Sequence, residues 1–198
     1  PFSYRHGANT DYQSAIDRFN LVIRGLDRVA PIPGSVNVLW VISHPEKVTE
    51  EEIFGFDIVY AASARWAAKM SEKLGKEIHY LPQATDSSLF NHSIAKDETR
   101  RGAVFVGSTH TGRHRRVVEM ALASGRQFSV IGRGWEGQLP PEIWESEGVP
   151  NERLASVYRS SRYVLADHWP EMAEEGFIQN RIFDAVACGC KVISDQVP

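Results

Sequence analysis

The chain has 198 residues, of which 42% are hydrophobic and 10% aromatic, and 22 basic residues against 25 acidic ones give a formal net charge of -3. This composition is typical of a globular protein with one large or two small domains and excludes a disordered chain. Because the charges nearly balance, they supply no overall field for nucleic acid or a membrane surface. Any site for an anion must therefore be local.

The two cysteines and the apolar runs bear on the compartment. Cys188 and Cys190 form a C-G-C pair that is too closely spaced for a good structural disulfide, so we expect both thiols to be buried in a reducing cytoplasm. The sequence shows no signal-peptide pattern, and no apolar run approaches the ~18 residues of a membrane span. We therefore expect a soluble, cytoplasmic protein without a transmembrane segment.

Apolar segments that favour strands alternate with amphipathic segments that favour helices, a pattern typical of a mostly parallel sheet with helices on its faces. In chain order, the first half predicts a helix over 10–19, strands over 20–25 and 37–44, a helix over 49–54, a strand over 57–63, a helix over 64–75 and a strand over 78–82. The second half predicts a strand over 103–107, a helix over 112–125, a strand over 128–132, a helix over 151–161, a strand over 163–167, a helix over 177–189 and a strand over 191–194.

An irregular stretch rich in Pro, Asn, Asp and Ser separates these halves. We take it as a linker and predict an N-terminal α/β domain over 1–83, a linker over 84–101 and a second α/β domain over 102–198. The chain begins close to a helix and stops just after a strand, so both domains are expected to be incomplete. The predicted fold class is α/β, with two Rossmann-like, doubly wound parallel-sheet domains.

The loops that follow the strands are the places where such sheets bind ligands. His44 ends a very apolar strand in the first half and can bind a substrate or act as a base. The competing interpretation is a structural histidine at a strand end that hydrogen-bonds the next loop.

The stretch "VFVGSTHTGRHRR" joins a strand to a helix through small residues. Gly107 and Ser108 allow backbone N–H groups to approach an anion, and Arg113, near the predicted helix start at Gly112, supplies forked donors for phosphate. The stretch lacks the G-K-[ST] ending of a P-loop, and it contains no G-x-G-x-x-G. A solvated basic face is the alternative.

Two further loops carry candidates. In "VIGRGWEG", Arg133 stands between two glycines, and Trp135 or the loop backbone can cover a nucleobase. In "EEGFIQNRIFDA", Arg181 and Asp184 are three residues apart and can share a helix face, where a carboxylate for sugar hydroxyls beside a cation for phosphate suits a nucleotide diphosphate. An internal ion pair between the two is the competing account. We find no C-x-x-C or D-x-D motif for a metal and no G-x-S-x-G nucleophile elbow.

The segments "ERLASVYRSSRYVLADHW", "EEGFIQNRIFDAVACGCKVISD" and "AVFVGSTHTGRHRR" resemble the donor-binding half of GT-B glycosyltransferases, most closely the group-1 transferases of the CgeB (spore maturation) type. "YLPQATDSSLF" resembles the crossing from the acceptor half to the donor half. The resemblance covers most of 38–195. It implies two domains that face a cleft, with the acceptor side over 1–83 and the donor side over 102–198, in a bacterial enzyme.

The resemblance also implies roles for individual residues. The ribose-binding carboxylate falls on Asp184, an Asp in place of the usual Glu, and the paired acid falls at Gly176, with Glu175 one residue further away. The family's N-x-R is compressed to Asn180 and Arg181. Arg113 corresponds to the basic residue for the diphosphate, with the backbone of Gly107 and Ser108 in the same cleft, and His44 corresponds to a base or acceptor ligand on the other side.

The expected function is the transfer of a sugar from a nucleoside-diphosphate sugar to an acceptor that is a glycan, a lipid-linked glycan, a protein or a small molecule. No metal or other cofactor is expected, because cationic side chains and helix N–H groups can stabilise the leaving diphosphate. No nucleic-acid partner is expected. Two alternatives stay open: a sugar-nucleotide epimerase of the same architecture, and a non-catalytic module that binds a nucleotide sugar or glycan.

Overall fold

The computed structural model describes residues 18–93, 101–110 and 113–198. The chain divides into two compact units: Pro1–Gln83 with Trp169–Ile178 and Val197–Pro198 form the first, and Ala84–His168 with Gln179–Gln196 form the second. The helix predicted over 10–19 lies outside the described residues up to residue 17, and Phe19 belongs to a strand instead.

The first unit contains a four-stranded parallel sheet with its strands side by side in chain order. The strands are β1 (Phe19–Arg24), β2 (Val36–Val41), β3 (Ile58–Ala61) and β4 (His79–Tyr80). A 3-10 turn at Pro45–Lys47 and helix α1 (Glu50–Phe54) connect β2 to β3, and helix α2 (Ala64–Leu74) connects β3 to β4. The predicted strands and helices between 20 and 82 each overlap one of these elements.

Local chemistry explains where α1 starts. Thr49 accepts a hydrogen bond from the backbone N–H of Glu52 at 3.1 Å, which is one half of a capping box. The side chain of Glu52, however, does not return to Thr49, because it pairs with Arg24 at 2.7 Å. Both members of this ion pair are about as buried as any core residue, and Arg24 also donates to the carbonyls of Gly25 and Lys47. The buried charges are therefore fully hydrogen-bonded, which such a pair needs.

One face of the first sheet forms the core and the other is open at its edge. Leu39, Val41 and Val59 are buried against the helices, whereas Phe19 and Leu21 are 72% and 59% exposed. Among the described residues, the connection from β1 to β2, residues 25–35, contains no helix.

The second unit contains a five-stranded parallel sheet in the order β7-β6-β5-β8-β9. Its strands are β5 (Arg101–Val106), β6 (Phe128–Ile131), β7 (Trp144–Ser146), β8 (Ser161–Ala166) and β9 (Lys191–Ser194). The sequence did not predict β7, which is three residues long and has one apolar side chain. The chain reverses its direction of travel across the sheet between β5 and β8, and doubly wound sheets bind ligands at such a switch point.

Helices α3 (Arg116–Ala123), α4 (Asn151–Arg159) and α6 (Asn180–Ala187) belong to this unit. Neighbouring strand residues point to opposite sides: Val104 and Val164 pack in a cluster with α4 and α6, and Phe105 and Leu165 pack in a second cluster with α3. The sheet is therefore covered on both faces, as parallel sheets generally are. Two parallel sheets flanked by helices confirm the predicted α/β class.

Two predictions about helix starts were wrong. α3 begins at Arg116 rather than near Gly112, so Arg113 lies before the helix, in an isolated bridge with His110. α6 begins at Asn180 rather than at Phe177, because Phe177 is wholly buried in the core of the first unit and the chain turns at Gly176.

The short helix α5 (Pro170–Glu174), which was not predicted, lies in a segment that sequence reasoning placed in the second domain. By its contacts the segment Trp169–Ile178 groups with the first unit, where Met172 and Phe177 are buried and Phe177 meets the ring of Trp66 edge-on. Part of the predicted linker also packs: Phe90 is buried in the second unit.

The cysteines and the lengths of the helices bear on two further predictions. The thiols of Cys188 and Cys190 are buried, as predicted, and form no disulfide. No helix within the described ranges combines the length and the apolar character that crossing a membrane requires.

Candidate functional site

The loops after β5 and β6 continue the strand pairing beyond the strand ends. The N–H of Gly107 donates to the carbonyl of Ile131 at 2.8 Å, and the N–H of Thr109 donates to the carbonyl of Arg133 at 3.0 Å. A Cβ atom on Gly132 would stand 2.1 Å from the carbonyl oxygen of Gly107. Two loop backbones can approach this closely only where a side chain is absent. The glycines of "VIGRG" therefore allow the loop after β6 to pack against the loop after β5.

This pairing corrects two predictions. The backbone N–H of Gly107 donates to the carbonyl of Ile131 in the pairing of the two loops, so it does not point to an anion. Trp135 does not cover a nucleobase, because it is 5% exposed, donates its indole N–H to the carbonyl of Gly107 at 2.8 Å, and meets the ring of Phe105 edge-on. Both residues instead fix the shape of the loop.

A cavity of about 550 Å³ opens beside these loops, and its lining consists of Ser108, Thr109, His110, Arg133 and Gly134. Ser108 accepts the N–H of Arg133 through its hydroxyl at 3.2 Å, and the side chain of Arg133 is exposed. The size is within the range of ligand pockets, which is roughly 300–1,000 Å³. The structure thus brings two of the predicted site residues, Ser108 and Arg133, to one cavity.

Arg113 lies further along the same loop, before the start of α3. Its backbone N–H donates to the carbonyl of His110 at 2.9 Å, and its own carbonyl accepts the hydroxyl of Thr109 at 2.8 Å. Its guanidinium is half-buried, and its charge contributes to lowering the pKa of Arg115. Arg113 is therefore held through its backbone next to a second cation.

Arg115 is a site residue that the sequence reasoning treated only as part of a basic run. It is 7% exposed and forms an ion pair with Asp167, which follows β8, with 3.0 Å between Nη1 and Oδ1. Burial lowers the pKa of Arg115 to about 10, and Asp167 opposes that shift. Burial also raises the pKa of Asp167, which Arg115 and the N–H of Val117 partly offset. An Asp at the end of a predicted strand was the sequence feature that pointed to this pair.

Arg181 shares an aromatic surface with Arg115. The two guanidinium carbons lie 5.3 and 5.4 Å from the centroid of Phe105, within cation–π range. Arg181 also donates to the side-chain oxygen of Gln179. A Cβ on Gly107 would stand 2.8 Å from Nη2 of Arg181, so this glycine makes room for the guanidinium. Burial lowers the pKa of Arg181.

Asp184 is 6% exposed and lies one turn after Asn180. Its Oδ1 accepts the hydroxyl of Thr85 at 2.6 Å, and the amide of Asn180 donates to Oδ1 and Oδ2 at 3.2 and 3.1 Å. Burial raises the pKa of Asp184, and the bonds from Thr85 and Asn180 oppose the rise. The contacts of Asp184 and Arg181 are thus with other groups, which argues against the ion pair considered as an alternative.

Two predicted site residues lie in the first unit. Glu175 forms an ion pair with Lys69 on α2 at 2.5 Å, and its carbonyl accepts the hydroxyl of Ser63 at 2.5 Å. His44 follows β2, is half-buried, and has left-handed backbone angles (φ 53°, ψ 51°). Its Nδ1 lies 3.0 Å from the hydroxyl of Ser43. A non-glycine residue in this conformation costs energy and is frequent at functional sites.

His168 was missed because a single histidine after a strand carries no motif. Its side chain is 1% exposed, with Nδ1 2.7 Å from Oδ1 of Asp195 and Nε2 accepting the N–H of Gln179 at 3.1 Å. The N–H of His168 also donates to Oδ2 of Asp195. Gln179 caps α6, so His168 joins the ends of β8 and β9 to the start of the helix that carries Asn180, Arg181 and Asp184.

Comparison with known proteins bears on this second unit. The family model described as glycosyl transferase-like matches residues 113–198. Among solved structures, sucrose-phosphate synthase from Thermosynechococcus elongatus superposes with a TM-score of 0.54 at 16% sequence identity, over 81% of this chain and 50% of that chain. No curated protein sequence gives a significant match.

The chain thus spans about half the length of that synthase, and at this identity the match shows the fold. The matched family region contains α3, the switch-point loop after β8, and α6, which are the elements that hold the arginines and Asp184. The family match therefore concerns the second unit, and the structural match concerns the fold.

Proposed function

We propose that the chain belongs to a metal-independent glycosyltransferase of the group-1, CgeB-like type, and that its second unit binds a nucleoside-diphosphate sugar. The observation that carries the proposal is a set of partly or fully buried arginines, Arg113, Arg115 and Arg181, gathered with Asp184 beside the switch point between β5 and β8. Cations for phosphate and a carboxylate for sugar hydroxyls are the two groups that a nucleoside diphosphate needs.

The arginines suit the diphosphate. Arg115 is repelled by both Arg181 and Arg113, and burial further disfavours its charge. An anion that enters this cluster relieves the repulsion, and it replaces the lost hydration with charge-assisted hydrogen bonds. Because Asp167 already neutralises Arg115 in part, Arg113 and Arg181 are the residues that we assign to the phosphate oxygens.

Asp184 suits the ribose. Oδ1 accepts two hydrogen bonds within the protein, whereas Oδ2 accepts one, from Asn180. A carboxylate has about four acceptor positions, so Oδ2 keeps capacity for a hydroxyl. The bonds from Thr85 and Asn180 hold the shorter Asp side chain at the helix start, where the family uses Glu.

In the transfer, the acceptor hydroxyl oxygen bonds to the anomeric carbon, the bond from that carbon to the diphosphate breaks, and the nucleoside diphosphate leaves with the electron pair. The cationic cluster stabilises the charge that develops on the leaving group. The acceptor proton goes to a base, for which we propose His44 of the first unit, since its strained backbone sets the ring at a strand end. Glu175, Ser108 and Arg133 are proposed to contact the donor.

A binding series tests the donor site. Thermal-shift and calorimetric titrations with nucleoside diphosphates should show one that stabilises the chain, because a ligand that binds only the folded state raises its stability. Asp184→Ala should raise the dissociation constant of that ligand at least tenfold, corresponding to loss of a hydrogen bond to a charged group of about 1.5–3 kcal/mol. Glu152→Ala, at an exposed acidic position on α4, is the matched control and should leave the binding unchanged.

Turnover of the corresponding nucleotide sugar separates the alternatives. Release of nucleotide that depends on an acceptor and survives a chelator supports the transferase. Isomerisation of the sugar would show that the protein is an epimerase and not a transferase. Binding of the nucleotide sugar without turnover would show a non-catalytic module. Absence of binding by any nucleoside diphosphate, or equal binding by Asp184→Ala, would overturn the donor site.

A further inference from the structure

The buried side chain of His168 lies in a hydrogen-bond chain that leads to the proposed donor-binding helix. Asp195 bonds both the backbone N–H and the ring Nδ1 of His168, and ring Nε2 accepts the backbone N–H of Gln179. Gln179 continues the chain, because its amide nitrogen donates to the carbonyl of Asp167 at 2.8 Å and its oxygen accepts from Arg181. The path therefore runs without a gap from Asp195 to the guanidinium of Arg181.

These contacts select one state of the imidazole. Nε2 faces an N–H donor, so it must carry a lone pair, and Nδ1 faces a carboxylate, so it must carry the proton. The hydrogen bond at one ring nitrogen fixes the role of the other. Asp195 thereby holds His168 as the neutral Nδ1–H tautomer, the state that can accept the N–H of Gln179.

The position of this contact is specific. The chain leaves the second unit after His168 and re-enters it at Gln179, and the bond between them closes the base of the ten-residue segment between. Backbone N–H groups at the start of a helix have no partner inside the helix and must be satisfied elsewhere. His168 supplies that partner at the cap of α6 and so sets where its first turn begins.

We propose that His168, held in its Nδ1–H tautomer by Asp195, is a positioning residue that places the first turn of α6, and with it Arg181 and Asp184, for binding the donor nucleotide. This inference rests on the proposed donor site. His168 itself contacts neither phosphate nor ribose in this assignment. Its effect passes through Gln179 alone.

Asp195→Asn tests the inference with little change in shape. An Asn side chain offers one oxygen and one NH₂ group, so it cannot accept from both the backbone N–H and Nδ1 of His168. When the NH₂ group faces Nδ1, the imidazole takes the Nε2–H tautomer and presents a donor to the N–H of Gln179. Ser194→Ala is the matched control, since it removes a neighbouring 3.0 Å bond to the same carboxylate without changing its acceptors for His168.

Three measurements are made on wild type, Asp195→Asn, Ser194→Ala and His168→Ala. Nitrogen-15 NMR of the imidazole should report the Nδ1–H tautomer in the wild type and its loss in Asp195→Asn. The dissociation constant of the nucleoside diphosphate that binds the wild type should rise about 10- to 100-fold in Asp195→Asn, the range seen for groups that orient ligands. The donor KM should rise with it, and kcat should fall as well, because Arg181 also stabilises the leaving diphosphate. Melting temperatures report folding separately.

The outcomes separate this inference from the proposed function. Binding by the wild type together with unchanged binding by folded Asp195→Asn overturns the role of His168 and leaves the donor site standing. An Nε2–H tautomer in the wild type also overturns it. If no nucleoside diphosphate binds the wild type, the proposed function fails first, and the inference fails with it. His168→Ala is informative only if its melting temperature shows that it is folded. If it is not folded, the test rests on Asp195→Asn.

Discussion

At the scale of single residues, the second unit places charged groups where burial makes their charge costly. Arg115 and Asp167 are both nearly inaccessible, and burial shifts the pKa of each towards the neutral form. Removing one member of such a pair leaves the other buried and uncompensated, which is strongly destabilising. Chains generally tolerate such arrangements where they serve a site, and perturbed pKa values concentrate there.

Gly107 makes the sharpest residue-scale prediction. In Gly107→Ala the new methyl group would meet Nη2 of Arg181 at 2.8 Å and the ring of Phe105 at 3.1 Å, so the guanidinium must move. Because the nearest atom is the end of a flexible side chain, we expect the free energy of unfolding to fall by no more than about 1 kcal/mol, the low end for overpacked sites. We also expect weaker binding of a nucleoside diphosphate, with binding of the nucleoside unchanged. Denaturant unfolding and calorimetry measure the two effects.

The matched control is Gly148→Ala, because a Cβ at Gly148 meets nothing within 4 Å. Its stability and diphosphate binding should stay close to those of the wild type. Equal affinity of the wild type and Gly107→Ala for the diphosphate would show that Arg181 does not contact phosphate.

Asp184 predicts a pH dependence. Burial raises its pKa in the folded state, so the folded chain binds the proton more tightly than the unfolded chain does. The contribution of Asp184 to stability is therefore greatest at low pH and is lost as pH rises through the raised pKa. In Asp184→Asn this step should be absent from the free energy of unfolding measured against pH, and nucleotide binding should still fall. A pH profile identical to the wild type would contradict the assignment.

At the scale of elements, the starts of helices carry most of the specific chemistry. α2 begins at Ser63, whose hydroxyl accepts the N–H of Trp66 at 3.1 Å and donates to the carbonyl of Glu175 at 2.5 Å. One side chain therefore caps a helix and holds the segment Trp169–Ile178 in the core of the first unit. At the start of α6 the corresponding contact is with the imidazole of His168, which accepts the backbone N–H of the N-cap residue Gln179.

Ser63→Ala should destabilise the first unit by about 1–2 kcal/mol, because it removes both a helix cap and a bond to a carbonyl. Thermal or denaturant unfolding gives the value. Ser124→Ala is the control, since that hydroxyl is exposed and donates to Ala121 within its own turn. If the two variants lose the same stability, the contact with Glu175 contributes nothing.

At the scale of the whole molecule, the chain forms two units with separate cores. One core contains Trp66 and Phe177, and the residues of the other two clusters belong to the second unit. A ligand that binds the second unit stabilises that unit directly, so its effect on local opening should be concentrated there.

Hydrogen exchange checks this expectation. A nucleoside diphosphate should slow amide exchange in the loops near 107–110 and 132–135 and at the start of α6, with smaller changes in β2 and α1. At the same ligand concentration, protection should be weaker in Asp184→Ala, whose affinity is expected to be at least tenfold lower. Equal protection of both units would mean that the donor site is not confined to the second.

Much of the fold follows from the sequence. All eight predicted strands overlap observed strands, because a parallel sheet buried by helices needs short continuous apolar runs, and these are visible in the chain. The predictions failed where local pattern was weak or overridden. β7 has too few apolar residues to register, and Phe177 was assigned to a helix although tertiary burial takes it into another core.

The candidate site divides in the same way. The sequence by itself determined the residue types, namely arginines after one strand and an Asn, an Arg and an Asp at a helix start, and the resemblance they carry to a glycosyltransferase donor half. Only the tertiary structure decided their partners. In the folded chain Arg115 forms an ion pair with Asp167, and Asp184 accepts hydrogen bonds from Thr85 and Asn180. Arg181 occupies the space left by the absent side chain of Gly107. Apart from the bond between Asn180 and Asp184, which are four residues apart on α6, these contacts join residues far apart in the chain, so no local pattern could encode them. Packing around the switch point selects which of the possible pairs form.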